Sequence, residues 1–310
     1  MTTQRTTTAA LSLVAVLGLL LATAATVHAK EFMAYEGPTA NTAMLLHLDE
    51  TSGTTIVNDN HANFSDIGDA ATIGSPTLGV SGVNEFFGTA LGVSPGNHVE
   101  LHYPSLPDSW NDLAGNGVDY TFDAWVKWDP SASSGRQTMA QAILLRDGAD
   151  TPYWWRLNLV PDTADSAHLQ LEAPQGLNNN RFSSNTVAWD ADLWYHIAFT
   201  QDVIDGADNE FNMYITPETE TGSTFPVSVG TFTDSGDFYV PRSGGLTPPP
   251  SLGLYFGAGH PDRSVGAFAG LIDDVRISNA VMTDFPAATP EPATAVLFLL
   301  GAAAALRRRR

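Results

Sequence analysis

The chain has no cysteine and few basic residues. No disulfide braces the fold, and no thiol is available for catalysis or metal binding. Its 310 residues include 14 Lys and Arg against 34 Asp and Glu, which gives a formal net charge of -20 at pH 7. A surface this acidic repels phosphate backbones and anionic lipid. We therefore expect no nucleic-acid partner, whereas divalent cations and neutral or cationic partners are compatible with the charge.

Long helical periods and common catalytic motifs are also missing between the two ends of the chain. The segment 92–96 fits the G-x-S-x-G pattern, but strand-like residues 97–101 follow it, and a nucleophile elbow must lead into a helix. The histidines show neither the H-x-H nor the H-E-x-x-H spacing of a zinc centre. No catalytic residue is assigned, and His196 is expected to be a structural strand residue.

Strand-like alternation is present instead, with 27 glycines and 19 prolines in the connections. Apolar residues recur at every second position over 121–128, as they do around Met213 and Leu254. Residues 155–159 and 169–171 form two further strands joined by a turn-rich segment, which predicts a hairpin. The pattern predicts an all-β fold with two antiparallel sheets in one domain, residues 30–288.

The N-terminal 29 residues have the pattern of a secretory signal peptide. Arg5 precedes an apolar stretch over 9–25, and Val27-His28-Ala29 places small residues at both cleavage-determining positions. The mature chain is expected to begin near Lys30, in a protein exported from the cell. A retained N-terminal transmembrane helix is the alternative.

The C-terminal segment, residues 289–310, combines three features in a fixed order. A Pro-Glu-Pro triplet precedes a largely apolar run of 14 residues, 293–306, and an arginine cluster ends the chain. As a helix, the apolar run is roughly 21 Å long, short of the roughly 30 Å hydrocarbon core. The arginines are expected on the cytoplasmic side. The residues that define the signal are Pro290, Glu291, Pro292, Arg307, Arg308, Arg309 and Arg310.

This order resembles the PEP-CTERM sorting signal of Gram-negative bacteria. The resemblance implies that an exosortase is a partner, that the chain is cleaved near the triplet, and that it is then placed at the cell surface or released. The short helix would be the only contact with a membrane, and that contact would be transient. A simple C-terminal anchor is the alternative.

Four segments of the central region resemble laminin G-like, concanavalin A-like jelly rolls, in the order typical of that family. The resemblance implies a two-sheet jelly-roll sandwich. Residues 60–63, Asn-His-Ala-Asn, stand where the family has a Ser-Gly-Asn run. The four segments are Leu48-Asp49-Glu50-Thr51-Ser52-Gly53 with the following Asp59, then 120–126, 194–198 and 270–277.

Asp273 lies in the last of these segments. If Leu271, Val275 and Ile277 face the core, a period of two directs Asp273 inward with them and directs Asp274 and Arg276 to solvent. A buried carboxylate must be paired, hydrogen-bonded or metal-bound. The resemblance implies a structural Ca²⁺ bound by Asp273 and the early acidic loop, for which the candidate ligands are Asp59, Asn63 and Asp273. Alternatively, Asp273 accepts backbone hydrogen bonds at a strand end.

The predicted hairpin also has a polar side. Alternation places Trp154, Arg156 and Asn158 on the side of one strand away from the core, and His168, Gln170 and Glu172 on that of its neighbour. An aromatic group among hydrogen-bonding groups is typical of sugar sites, so Trp154, Arg156, Asn158, His168 and Gln170 are the candidate ligand-binding residues. Alternatively, this is an ordinary solvent face with an Arg156–Glu172 cross-strand pair.

Glycosidases of the resembled fold typically carry an E-x-D-x-x-E pattern, which places two carboxylates beside the glycosidic bond. No glutamate of this chain has an aspartate two residues later. We therefore expect no enzymatic activity and predict an exported binding module for carbohydrate or extracellular matrix. A structural matrix component without a discrete ligand site is the first alternative, and a divergent glycosidase is the second.

Overall fold

Strands occupy most of the part of the chain that the structure, a computed structural model, describes. That part is residues 38–285 without 85, 104–117, 132–134, 146–152, 176–177, 205–208, 220–226, 235–250, 259–265 and 283–284. Side chains at 103, 143–145, 153–154, 173–175, 178–180, 234 and 251–252 also lie outside the description. The described residues all belong to one compact unit, Met33–Pro286.

Eighteen strands are described. In chain order they are β1 (Thr42–Leu46), β2 (Thr55–Ile56), β3 (Ala70–Ile73), β4 (Thr77–Ser81), β5 (Thr89–Val93), β6 (His98–Tyr103), β7 (Tyr120–Trp128), β8 (Gln137–Leu145), β9 (Tyr153–Thr163), β10 (Ser166–Gln175), β11 (Asn178–Ser183), β12 (Val187–Ala188), β13 (Tyr195–Asp202), β14 (Asn209–Pro217), β15 (Ser228–Asp234), β16 (Ser251–Phe256), β17 (Gly266–Ala267) and β18 (Gly270–Ser278). A single 3₁₀ turn, Ala62–Phe64, is the only helical element among the described residues.

The strands form two sheets. The first has the order β15-β14-β13-β7-β18-β5-β4, with β1 also paired to β18. The second has the order β11-β10-β9-β8-β16-β6-β3-β2, with β12 beside β10 and β17 beside β8. The pairing is antiparallel throughout the described strands except between β17 and β8. The predicted all-β, two-sheet jelly-roll sandwich is confirmed, and so is the predicted hairpin, which is β9–β10.

The core lies between the two sheets, where the alternating apolar residues of both meet. Phe122 of β7 contacts Trp155 of β9 with ring centroids 5.4 Å apart, and Phe199 of β13 contacts the same indole at 5.1 Å. All three side chains are at most 2% exposed. Burying a side chain of this size contributes about 1.5–3 kcal/mol. In a chain without disulfides, this core is the main source of stability.

Strand β18 contains a β-bulge that changes which side chains face the core. Its register against β7 shifts between Asp273 and Arg276, and Asp274 has a positive φ of 42°. Before the shift, Ile272 pairs with the core residue Val126, so Asp273 points to the opposite face. The inserted residue then returns Val275 to the core.

The predicted side-chain directions in β18 were therefore partly wrong. Asp273 is buried as predicted, but it lies on the outer face of the first sheet beside Trp125, not in the core. Leu271 is only half-buried, because the bulge breaks the strict period of two. Arg276 does point outward, yet it is 3% exposed and not in solvent.

Arg276 is buried because it belongs to a charged cluster on that outer face. Its Nε donates to Asp123 Oδ2 at 2.9 Å, and the other oxygen of Asp123 lies 3.2 Å from His196 Nε2. Phe285 covers the cluster, with its ring 4.8 Å from the imidazole of His196. His196 is thus a buried residue of β13 within hydrogen-bond distance of Asp123.

Among the described residues, no helix is long and apolar enough to span a membrane. The predicted signal peptide, residues 1–29, and the predicted sorting segment, residues 289–310, lie outside the described residues.

Candidate functional site

Four neighbouring strands of the second sheet carry polar side chains on the face turned away from the core. The register aligns Gln141 of β8 with Arg156, Glu172 and Arg181 of the next three strands. A second row aligns Thr138 with Asn158, Gln170 and Ser183. We call these eight residues, together with Arg136 just before β8, the polar face. The two rows exist because alternate residues of β9 and β10 point away from the core. An irregularity in β8 between Thr138 and Ala140 lets Thr138 and Gln141 face the same side although they are three residues apart.

Glu172 is the centre of the first row and is fully buried. Its Oε2 accepts from Arg156 Nε at 2.8 Å and also from an Nη of the same guanidinium. Its Oε1 accepts from Arg136 Nη1 and lies 2.9 Å from Arg181 Nε in an ion pair. Three arginines therefore share one carboxylate, an arrangement that satisfies both oxygens and compensates for the burial of the charge.

The second row holds the arginines in position. Arg136 Nη1 also donates to Gln170 Oε1 at 3.1 Å, and Gln170 Nε2 donates to Ser183 Oγ at 3.3 Å. Asn158 is fully buried, accepts from the Thr138 hydroxyl at 3.0 Å and donates to the Gln170 carbonyl at 3.4 Å. These amides leave the guanidinium of Arg136 little rotamer freedom.

The structure places four of the five predicted ligand residues on this side of the hairpin. Arg156 and Asn158 are buried in the network, whereas Gln170 and His168 are half-buried. His168 Nδ1 lies 2.9 Å from Asp162 Oδ2, and that hydrogen bond is the main reason why the pKa of the Asp162 carboxyl is lowered. Trp154 is a residue of β9, but its side chain lies outside the description. The predicted Arg156–Glu172 cross-strand pair is present.

Sequence reasoning missed Arg136 and Arg181, the two most exposed members of the Glu172 cluster. Arg136 lies before β8, outside any alternation of apolar and polar residues. Arg181 follows three asparagines, which do not form an alternating pattern either. Their side chains are 27% and 53% exposed, against 6% for Arg156. The accessible groups of the polar face are therefore guanidinium, amide and hydroxyl groups, which can hydrogen-bond the hydroxyls and oxyanions of a sugar.

Asp273 forms the second candidate site, on the outer face of the first sheet. Its Oδ1 accepts from the Asp274 amide at 2.9 Å, and its buried Oδ2 has no hydrogen-bond partner of ordinary geometry among the described residues. Burial raises the pKa of Asp273 to about 9, and the charge of Asp274 adds to the effect, whereas the amides of Asp274 and Val83 oppose it. This carboxyl therefore holds a proton at neutral pH unless a cation takes its place.

Main-chain oxygens lie close to the unpartnered Oδ2. Gly82 has no side chain, and the position that a Cβ would occupy there marks a space between these oxygens. That position lies 2.7 Å from Asp273 Oδ2 and 3.2 Å from each of the carbonyl oxygens of Phe87 and Gly88. Asp49 lies beside Gly88, where its Oδ1 accepts from the Thr89 amide at 2.7 Å, and its charge acts on Asp273. Carboxylate and carbonyl oxygens around one small space are the donors that a hard cation prefers.

His47 lies between the predicted ligand Asp59 and Asp274, the neighbour of Asp273. His47 Nδ1 lies 2.7 Å from Asp274 Oδ1, while His47 Nε2 lies 4.0 Å from Asp59 Oδ2. The hydrogen bond with Asp274 is the main reason why the pKa of His47 is raised. Asp59 is thus near the site but on the far side of the imidazole.

The third predicted ligand, Asn63, is not brought near Asp273. Residues 59–63 lie beside β1. The amide of Asp59 donates to the main-chain carbonyl of Leu45, and the side-chain amide of Asn63 donates to the main-chain carbonyl of Ala40. The pairing of β1 with β18 places this end beyond Ser278, five residues from Asp273. Sequence reasoning missed Asp49, although it lies in the Leu48–Gly53 segment that carried the family resemblance.

No group of three or more His, Asp or Glu side chains within the described residues is arranged to hold a metal ion. Side chains alone therefore make no metal centre in this part of the chain. The oxygen atoms beside Gly82 fit a hard cation only if the carbonyls of Phe87 and Gly88 serve as ligands together with Asp273 and Asp49.

The raised pKa of Asp273 predicts a pH dependence of stability. An unfolded aspartate has a pKa of about 3.9, so between about pH 4 and about pH 9 only the folded protein keeps this proton. This group therefore makes the free energy of unfolding fall as the pH rises. The test is thermal unfolding of the full chain in EDTA. We expect the difference in Tm, Asp273→Asn minus wild type, to be larger at pH 8 than at pH 5.

Asp69→Asn is the matched control, because Asp69 is exposed and accepts only the Asn58 amide among the described hydrogen bonds. Its Tm difference from wild type should be the same at both pH values. A difference for Asp273→Asn that is constant with pH, or that has the opposite sign, would show that Asp273 is ionised in the folded protein.

Several solved structures resemble this fold at low sequence identity. A sialidase of Trypanosoma rangeli in complex with a difluorinated nononic acid has 14% identity and a TM-score of 0.46, over 79% of this chain and 31% of that one. A conserved carbohydrate esterase from the Shiga toxin-encoding bacteriophage phi24B has 13% identity and a TM-score of 0.44, over 77% of this chain and 99% of that one. The enzymatically active domain of tailspike protein 2 from bacteriophage CBA120 has 16% identity and a TM-score of 0.40, over 67% and 27%.

The expectation that the chain has no enzymatic activity is corrected by these neighbours, which include sialidases and a carbohydrate esterase. The missing E-x-D-x-x-E pattern excludes one catalytic arrangement and not catalysis in general. Similarities at these TM-scores and identities assign no activity to this chain. It also spans only about a third of the length of the sialidase, 31%.

No curated protein matches the sequence significantly. A laminin G-type family model, described as the concanavalin A-like lectin/glucanases superfamily, matches residues 96–284, which is more than half of the chain. This range contains β6 to β18, which are most of the strands of both sheets, together with the polar face and Asp273. The chain belongs to the concanavalin A-like lectin/glucanase superfamily.

Proposed function

We propose that the protein is exported and binds polysaccharide through the polar face. The observation that carries this proposal is the cluster of three arginines on Glu172, bordered by Gln170 and Ser183. Such a cluster keeps guanidinium and amide groups in fixed positions before a ligand arrives, which lowers the entropic cost of binding. Gln170, Arg136 and Arg181 would contact the ligand, while Arg156 and Asn158 would hold them in place.

A second candidate function is that of a structural component of the extracellular matrix. The net charge of -20 favours it, because an acidic surface binds divalent cations that could bridge neighbouring molecules. Such a protein would need no discrete ligand site. Glycan binding by the isolated protein separates the two candidates.

The polar face predicts a localised effect on glycan binding. The full chain, purified in detergent, is expected to bind polysaccharide on a glycan array, and Gln170→Ala should weaken that binding about tenfold, because Gln170 orients Arg136. Asn212→Ala is the matched control, since Asn212 is a half-buried amide on β14 of the other sheet. No binding to any glycan would favour the structural candidate, and an equal loss in both variants would place the ligand elsewhere.

We also propose a structural Ca²⁺ ion held by Asp273 and Asp49 with the carbonyls of Phe87 and Gly88. The ion would supply positive charge among three carboxylates, those of Asp49, Asp273 and Asp274, whose mutual repulsion contributes to the raised pKa of Asp273. It would also join the segment 82–88 to β18. The unpartnered Oδ2 of Asp273 supports this proposal.

Calcium should therefore raise the thermal stability of the full chain over that in EGTA. At a hundredfold its dissociation constant, a ligand of the native state adds about 2.7 kcal/mol. We expect Asp273→Asn to abolish the shift, Asp49→Asn to reduce it and Asn63→Ala to leave it unchanged. A shift that survives in Asp273→Asn, or that Asn63→Ala removes, would contradict this ligand set.

We further propose that the two terminal segments direct export and sorting. The signal peptide would be removed before Lys30, and an exosortase would cleave near Pro290-Glu291-Pro292 while Arg307–Arg310 face the cytoplasm. The order of triplet, short apolar run and arginine cluster supports this proposal. The product would be located at the cell surface or outside the cell.

Expression in a Gram-negative host with and without an exosortase tests the sorting proposal. With the enzyme, mass spectrometry should find a chain that starts near Lys30 and lacks the terminal arginines. Without it, the chain should keep residues 289–310 and stay with the membrane fraction. The same mass and location in both hosts would identify the C-terminal segment as a simple anchor.

A further inference from the structure

The basic residues of the described chain are concentrated at one point. Five Lys or Arg residues lie in the described part, and three of them meet at Glu172. One glutamate neutralises one of these charges, so the cluster keeps a formal excess of two positive charges in a chain of net charge -20. A structural ion pair requires only one arginine. The surplus of charge therefore needs another explanation.

The surplus is on the two arginines that solvent can reach. Arg136 and Arg181 are 27% and 53% exposed, whereas Arg156 is 6% exposed and binds Glu172 with two of its nitrogens. Arg136 uses Nη1 for Glu172 and Gln170, and Arg181 uses Nε for Glu172. No described residue accepts from Nη2 of Arg136 or from either Nη of Arg181. Within the described part of the chain, these are the donors that remain for a ligand.

The two exposed guanidinium groups are also held next to each other. Arg136 donates to Oε1 of Glu172, and Arg181 Nε lies 2.9 Å from the same atom, so the two groups flank one point of the sheet. A guanidinium is planar and binds a carboxylate through two parallel hydrogen bonds. Glu172 and Gln170 already hold these guanidinium groups in place. The two arginine side chains therefore lose little conformational entropy when an anion binds.

We propose that the polar face recognises the carboxylate groups of an acidic polysaccharide, through Arg136 and Arg181. This inference rests on the proposed function and names the class of its ligand. The remaining surface of the chain is acidic and repels such a polymer, so recognition has to come from this local cluster and not from general attraction. Glu172 holds the two arginines in place and does not touch the ligand.

The test compares each polymer with its own methyl ester. Polygalacturonate, alginate and hyaluronate are titrated against the full chain in detergent at 150 mM salt, each beside its fully esterified form and beside dextran sulfate. We expect at least one of the three acids to bind about tenfold or more tightly than its ester, because a charge-assisted bidentate contact is lost on esterification. Dextran sulfate should bind more weakly than that acid.

The variants assign the preference to the two arginines. Arg181→Gln and Arg136→Gln should each remove most of the preference for acid over ester, and Arg181→Lys should keep only part of it, since lysine retains the charge but not the fork. Lys127→Gln removes the same charge from the other sheet and should change nothing. Arg136 and Arg181 both contact the buried Glu172, so the variants should unfold at a lower temperature, and a single cooperative unfolding transition will show that they are folded.

Each other result overturns the inference. Equal affinity for acid and ester, or a preference that survives the double variant Arg136→Gln with Arg181→Gln, would overturn it while leaving polysaccharide binding intact. Equal or tighter binding of dextran sulfate would indicate unspecific attraction and would overturn it as well. The absence of binding to any of these polymers and to the glycan array would overturn the proposed function together with this inference.

Discussion

Among the described residues, the apolar core between the two sheets contains no Asp, Glu, Lys, Arg or His, so the charged side chains of the strands lie on the two outer faces. There, a buried carboxylate is stable only with a counter-charge, hydrogen bonds or a proton. Asp123 has Arg276 and His196 as neighbours, and Glu172 has three arginines. Asp273 has no arginine, and its pKa is raised to about 9. These three carboxylates determine the chemistry that each outer face offers.

The two candidate sites are opposite in charge, and both follow from this constraint. At Glu172 three arginines surround one carboxylate, so positive charge is in excess and guanidinium donors remain for an anion. At Asp273 negative charge is in excess, because the charges of Asp49 and Asp274 act on the same carboxyl. One oxygen of Asp273 therefore remains for a proton or a cation. At Asp123 both carboxylate oxygens have a partner and Phe285 packs on His196, so no unpartnered oxygen and no exposed guanidinium remain there among the described residues. An imbalance of charge, more than burial itself, distinguishes a binding site from a structural ion pair on these sheets.

Alternation of apolar residues was enough to predict the strands, the β9–β10 hairpin and the two-sheet fold, because a sandwich core imposes a period of two on each strand. It also placed Arg156, Asn158 and Gln170 on the side away from the core. It failed where the period breaks. The bulge at Asp274 has no glycine to mark it, and Arg136 and Arg181 lie outside the alternating segments. The Asp49 position depends on contacts between distant loops, which no local pattern encodes. The predicted absence of enzymatic activity was wrong because it relied on one missing motif.

The bulge in β18 has a consequence for any comparison of this chain with its relatives. The strand consists in effect of two short strands whose inward positions are out of phase by one residue, with the break at Asp274. A relative with one residue fewer at that point would match this sequence well on either side of the gap. Its one aspartate would keep the outward position of Asp273, but the residue that corresponds to Asp274, the hydrogen-bond partner of His47, would be missing. Alignments of this strand should therefore be judged by the number of residues across the bulge, and not by the match on either side of it.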